Sequence, residues 1–116
     1  MPISIGTDIE QNSRFKNKTL EIDTKFLYKI FTDKELNYCF SCKFPSQHLC
    51  ARFCAKEATI KALYKCGIKD VYYNDIEIFK SEEIPYVKIL KYPNINVDIS
   101  ISHCENYSTA TAIIQY

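Results

Sequence analysis

The apolar positions of this chain change period near Gly67, from helical spacing before it to alternation after it. Between Ser46 and Lys65, Leu49, Phe53, Ile60 and Leu63 form one stripe, and Ala55, Ala58 and Ala62 form another. This pattern predicts a long helix buried on two sides. Gly67 supplies its stop, because glycine tolerates the left-handed conformation that closes many helices. Upstream, Thr32-Asp33-Lys34-Glu35 has capping-box spacing, so a second helix starts there and runs toward Lys43, ahead of Pro45. From Glu10 to about Ile30 the helical pattern is present but broken. At the very start, Ile3 to Asp8 alternate weakly and read as a short strand ending at Gly6-Thr7-Asp8, which puts Asp8 at a strand end.

After Gly67, alternation marks strands at Ile76 to Phe79, Tyr86 to Leu90, Val97 to Ser102 and Thr109 to Ile114. The short connections between the last strands permit antiparallel pairing and leave little room for crossover helices. The fold class is therefore α+β, with an N-terminal strand and helices packed on a mainly antiparallel β-sheet. No repeat, low-complexity tract or Gly/Ser/Pro-rich linker divides the sequence, so residues 1–116 read as a single domain. So small a domain has difficulty enclosing a deep cavity alone, which favours a site shared between subunits.

Charge removes one function class. Lys and Arg number 15 against 14 Asp and Glu, a net charge of +1, so there is no global field to hold a nucleic acid. Locally, Arg14, Lys16, Lys18, Lys25 and Lys29 outweigh Glu21 and Asp23, and this basic stretch suits an acidic partner as well as it suits plain solvation. The N-terminus reaches Asp8 before a signal-peptide core could form, and no apolar run is of membrane length. A cytoplasmic protein without a membrane partner is expected. In that reducing compartment the six cysteines should be free thiols that serve packing. Cys39, Cys42, His48, Cys50 and Cys54 do have metal-like spacing, which makes a zinc-stabilised interaction domain a competing reading. Cys50 and Cys54, however, fall inside the strongest helical pattern, where small buried residues are equally welcome.

The long helix also carries the candidate chemistry. Glu57 and Lys61 lie one turn apart on one side, a spacing that by itself describes an ordinary ion pair worth about 0.2–0.5 kcal/mol. Glu57 borders the apolar stripe, so it should be partly desolvated and need a cation. Lys61 could be that cation. So could a divalent ion held by Asp8 and Glu57, since Mg²⁺ is commonly bound by one or two carboxylates together with waters and substrate phosphates. Farther on, Val97 to His103 alternates and ends in histidine just before Cys104-Glu105-Asn106, where a strand-end side chain can meet a ligand or simply make one hydrogen bond.

These segments, taken in order, carry a resemblance. Ile5-Gly6-Thr7-Asp8-Ile9, Phe31-Thr32-Asp33-Lys34-Glu35-Leu36, Arg52-Phe53-Cys54-Ala55-Lys56-Glu57-Ala58 with Lys61, Asp75-Ile76-Glu77-Ile78, and Ser100-Ile101-Ser102-His103 with Tyr107 are similar, nearly end to end, to the holo-acyl-carrier-protein synthase family. This is the small trimeric branch of the 4′-phosphopantetheinyl transferases. The resemblance implies the fold of that family and a Mg²⁺-dependent transfer of 4′-phosphopantetheine from coenzyme A to a serine of apo-acyl carrier protein, releasing adenosine 3′,5′-bisphosphate. It implies a place in fatty acid biosynthesis and a homotrimer with sites between subunits. By the same resemblance, Asp8 and Glu57 hold the metal and, with Lys61, do the chemistry, Lys61 neutralising the phosphate under attack. Arg52 and His103 meet the nucleotide end of coenzyme A at its 3′-phosphate, and Arg14 meets the acidic carrier protein. A non-catalytic carrier-protein or nucleotide-binding module of the same fold is the alternative, and the presence of Asp8, Glu57 and Lys61 together speaks against it.

Overall fold

The computed structural model describes residues 2–116. In chain order it contains β1 (Ile3–Gln11), a 3₁₀ turn (Asn12–Phe15), α1 (Thr24–Ile30), α2 (Asp33–Ser41), α3 (Pro45–Lys65), a second 3₁₀ turn (Tyr73–Asp75), β2 (Ile76–Ser81), β3 (Ile84–Ile89), β4 (Val97–His103) and β5 (Tyr107–Gln115). An antiparallel sheet of order β1-β5-β4 is crossed on one face by α3, and β2 and β3 form a separate antiparallel hairpin. The expected α+β class holds. Among the described residues no helix is long and apolar enough to cross a membrane.

The alanine stripe explains how α3 sits on the sheet. Ser4 and Gly6 of β1 are buried beneath it, and the Ser4 hydroxyl donates to the Ala62 carbonyl at 2.6 Å. A Cβ at Gly6 would overlap the Ala58 carbonyl oxygen, so helix and strand backbones meet almost directly, and only glycine allows this. Strand alternation then puts Asp8 on the same inner face and turns Ile3, Ile5 and Ile9 outward, where they remain 56%, 57% and 66% exposed. Ile113, opposite Ile5 on β5, joins them on that outer face.

Two expectations need correction here. β1 does not end at Asp8: it pairs with β5 from Ile3 opposite Gln115 to Gln11 opposite Tyr107, so Asp8 sits mid-strand opposite Ala110. The long partner β5 templates the extension, which the weak alternation of β1 does not show. The broken helix from Glu10 to Ile30 is also replaced, by the end of β1, a 3₁₀ turn, irregular backbone and the short α1. Asn12 ties this segment to the β4–β5 turn, donating from its side chain to the Cys104 and Glu105 carbonyls at 3.0 Å each and accepting from the Ser108 hydroxyl at 2.7 Å. Asn17, in the left-handed region at φ 62°, prevents a continuous helix.

The other helical signals appear where the sequence places them. Thr32 and Glu35 form the capping box of α2, with the Thr32 amide donating to Glu35 at 2.9 Å. Pro45 occupies the first turn of α3, where its missing N–H costs nothing. Past the C-terminus of α3, Gly67 adopts φ 85°, and the Gly67 and Ile68 amides donate to the Tyr64 and Leu63 carbonyls at 3.0 Å each. Phe15, Phe31 and Phe53 pack edge-to-face or tilted in the core beside α3.

All six cysteines are free. Cys39, Cys50 and Cys54 are buried packing residues as expected, whereas Cys104 is exposed and fills no core. Among the described residues no group of three or more His, Cys, Asp or Glu side chains could hold a metal ion, which overturns the zinc reading of Cys39, Cys42, His48, Cys50 and Cys54. Cys50 and Cys54 instead donate weakly to the main-chain carbonyls of Gln11 at 3.5 Å and Ser108 at 3.3 Å.

Candidate active site

Close packing of β1 on α3 brings Asp8 beside Lys61, whose ammonium donates to Asp8 Oδ1 at 3.3 Å and to the Thr7 carbonyl at 2.9 Å. The one-turn pair of Glu57 with Lys61, offered by spacing, does not form. Glu57 accepts instead from the Tyr73 hydroxyl through Oε1 at 2.5 Å. Two geometric facts decide between the partners: Asp8 reaches across from the strand, and the 3₁₀ turn at Tyr73–Asp75 presents a phenol to Glu57. Glu57 is half-buried, as its place beside the apolar stripe foretold. Glu57, Lys61 and Tyr73, together with Ile60, Tyr64, Val71 and Tyr72, line an open cavity of about 310 Å³.

Burial pushes the Tyr73 phenol up to about 12, with the Glu57 carboxylate it serves as the next cause, so it remains a hydrogen-bond donor throughout the neutral range. The Arg14 charge opposes this rise and the Asp8 charge adds to it, so both carboxylates and one guanidinium surround the phenol. Tyr73 is held in turn by Lys56, whose buried ammonium donates to the Tyr73 carbonyl at 2.9 Å and the Ile30 carbonyl at 2.6 Å. Glu35 completes that network, meeting Lys56 at 2.6 Å and accepting from the Ile78 amide at 2.7 Å. Desolvation lowers the pKa of Lys56 and is opposed by Glu35, which favours the charged form.

A second constellation lies at the other end of α3. Arg52 and His103, far apart in sequence, line one cavity of about 130 Å³ together with Gln47, His48, Lys80 and Glu83. Arg52 is buried, its guanidinium stacks 4.4 Å from the Tyr38 ring centre, and its Nε has no hydrogen-bond partner. His103 does end β4, and its Nδ1 lies 3.0 Å from Gln47 Nε2, which fixes the ring orientation from α3.

Arg14 borders the first constellation from the first 3₁₀ turn: it is bonded to Glu10 at 2.6 Å, and its guanidinium lies 4.6 Å from the centre of the Phe53 ring, which packs 5.5 Å from the Tyr73 ring. The structure thus joins Asp8 with Lys61, sets Glu57 near them, joins Arg52 with His103, and sets Arg14 at the edge of the first group, over Phe53. Sequence reasoning missed Tyr73, Gln47 and Lys80, and singled out His48 only as a zinc ligand rather than as a neighbour of Arg52. Tyr73 sits in a short turn with no period to flag it, and His48 and Gln47 matter only through a strand that arrives 56 residues later.

Comparison with known proteins places this architecture. The family described as the 4′-phosphopantetheinyl transferase superfamily matches residues 4–112, and the chain belongs to it. The chain is 42% identical to the holo-[acyl-carrier-protein] synthase of Thermodesulfovibrio yellowstonii over 95% of its own length and 96% of that protein's. It is 36% identical to the holo-[acyl-carrier-protein] synthase of Protochlamydia amoebophila over 97% of its own length and 98% of that protein's. Its backbone matches the crystal structure of the Helicobacter pylori holo-[acyl-carrier-protein] synthase in complex with coenzyme A with a TM-score of 0.78 at 30% identity, covering 96% of this chain and 99% of that one.

Proposed function

We propose that this chain, acting as one domain over residues 1–116, transfers 4′-phosphopantetheine from coenzyme A to a serine hydroxyl of an apo-acyl carrier protein and releases adenosine 3′,5′-bisphosphate. The observation that carries this reading is the convergence of Asp8 from β1 with Lys61 and Glu57 from α3, on the same helix that presents Arg52 toward a basic cavity. Pyrophosphate and 3′-phosphate recognition need two such centres, and one rigid helix spaces them.

The donor set fits Mg²⁺. Asp8 and Glu57 are hard carboxylates, the Tyr73 bond engages only one Glu57 oxygen, and carboxylates with substrate phosphates make the usual oxygen shell of this ion. Asp8 and Glu57 would hold the metal, which when bound neutralises pyrophosphate charge. Lys61 leaves its long contact with Asp8 and places its ammonium on the phosphate under attack. Arg52 and His103 bind the 3′-phosphate, where a forked guanidinium suits the oxygens. The serine oxygen forms its bond to phosphorus, the pyrophosphate bridge breaks, and the hydroxyl proton leaves to a base. Because the leaving phosphate needs little protonation near neutral pH, positioning and charge neutralisation carry most of the reaction.

Arg14 meets an acidic carrier helix by exchanging Glu10 for a partner carboxylate, and such a contact weakens with salt. The outward isoleucines Ile3, Ile5, Ile9 and Ile113 favour association of this chain with its own copies, in a cytoplasmic homotrimer with sites between subunits.

The test is direct. The protein is mixed with coenzyme A, Mg²⁺ and an apo-acyl carrier protein, and the carrier's intact mass is read alongside Asp8→Ala, Glu57→Ala and a metal-free tube. A gain of one phosphopantetheine, absent without metal or in either variant, supports the reading. Folded protein that binds coenzyme A yet modifies no carrier would make it a binding module.

A further inference from the structure

The basic cavity holds more charge than Arg52 and His103 account for. His48 precedes Arg52 by four residues, about one helical turn, so the two side chains share a face of α3. Tyr38 of α2 joins them: its ring centre is 4.4 Å from the Arg52 guanidinium carbon and 5.8 Å from the His48 ring centre, the two rings meeting edge-on. Lys80 of β2 and His103 of β4 close the same cavity, with Glu83 of the β2–β3 turn the acidic group on its wall. The unpartnered Nε of buried Arg52 shows that this polar surface is unsatisfied within the chain itself.

We propose that His48 is a specificity-determining residue of this cavity, taking up a proton as a phosphate monoester dianion enters and so coupling recognition of the 3′-phosphate of coenzyme A to pH. The inference rests on the assignment of Arg52 and His103 to that phosphate and adds to it a residue the assignment does not contain. Electrostatics gives the sign. In the unliganded cavity, burial holds His48 below the ordinary histidine range, and Arg52, Lys80 and His103 push it further down, so the ring is neutral near pH 7. A dianion placed among these groups reverses the neighbouring field and favours the imidazolium. Binding therefore takes up a proton between the unliganded and liganded pKa values, and affinity falls as pH rises through that window, by at most about tenfold per pH unit for one linked proton.

The experiment is calorimetric titration of the whole protein with coenzyme A, and with 3′-dephospho-coenzyme A, between pH 6.5 and 8 in two buffers of different ionisation heat. The difference between buffers counts protons directly. Wild type should prefer coenzyme A and take up protons with it but not with the dephospho form. His48→Gln should lose most of that uptake, and His48→Lys, a fixed cation of similar reach, should keep the preference without the uptake. Circular dichroism confirms that each variant is folded. If wild type binds both ligands alike, the phosphate assignment itself fails. If the preference stands and uptake is unchanged in both variants, His48 is not the coupled group and this inference alone is overturned.

Discussion

Lys56 and Lys61 lie on one helix, each facing a carboxylate, and the two pairs behave in opposite ways. Lys56 has no side-chain exposure and meets Glu35, equally buried, at 2.6 Å. Lys61 is 54% exposed and meets Asp8 at 3.3 Å. The first pair is saturated: carbonyls of Ile30 and Tyr73 complete the ammonium, and amides of Thr32 and Ile78 complete the carboxylate. The second is loose and wet, ready to exchange partners. A charge that is fully satisfied serves as a joint, whereas a charge that is only partly satisfied remains available to substrate.

The comparison can be broken most severely from the buried side. Glu35→Ala strands a buried ammonium and should cost about 3–5 kcal/mol of stability, read as a shifted urea midpoint. Replacing Glu35 and Lys56 together by methionine should recover only part of it, because the Thr32 and Ile78 amides and the Ile30 and Tyr73 carbonyls then lose their partners. On the exposed side, Asp8→Ala or Glu57→Ala should reduce phosphopantetheine transfer by roughly 10²–10³-fold. Lys61→Ala should follow with about a 10²-fold loss, read as initial rate, and leave the urea midpoint in place because its contacts are solvent-exposed. The smallest effect falls on the link between the two regions. Tyr73→Phe removes one hydrogen bond worth about 0.5–1.5 kcal/mol and should raise the Mg²⁺ concentration for half-maximal rate by several-fold, with the KM for coenzyme A unchanged.

Local signals in the sequence are those that chemistry writes within one turn or one strand. The capping box of Thr32 and Glu35, the stripes of α3, the stop at Gly67 and the alternation ending in His103 were all legible for that reason. Glu35 illustrates the boundary. Its role as a cap is visible in four residues, but its bond to the Ile78 amide spans 43 positions and leaves no periodic trace. The length of β1 was hidden in the same way, since pairing with β5 spans nearly the whole chain. At the site, spacing correctly put Glu57 at the edge of the apolar stripe but suggested Lys61 as its partner. Only the fold shows that a strand carboxylate claims Lys61 and a turn phenol claims Glu57.

Gly6 gives the fold a hard stop. Two main chains touch there, so no neighbouring side chain can shrink to make room for a larger residue. A single methyl group at that point would act as a wedge, and the strand would pivot away from the helix with Asp8, two positions on, at the end of the lever. Catalytic geometry here is tuned by an atom that is missing, and random mutation of Gly6 to alanine should inactivate the protein without touching any group that contacts substrate.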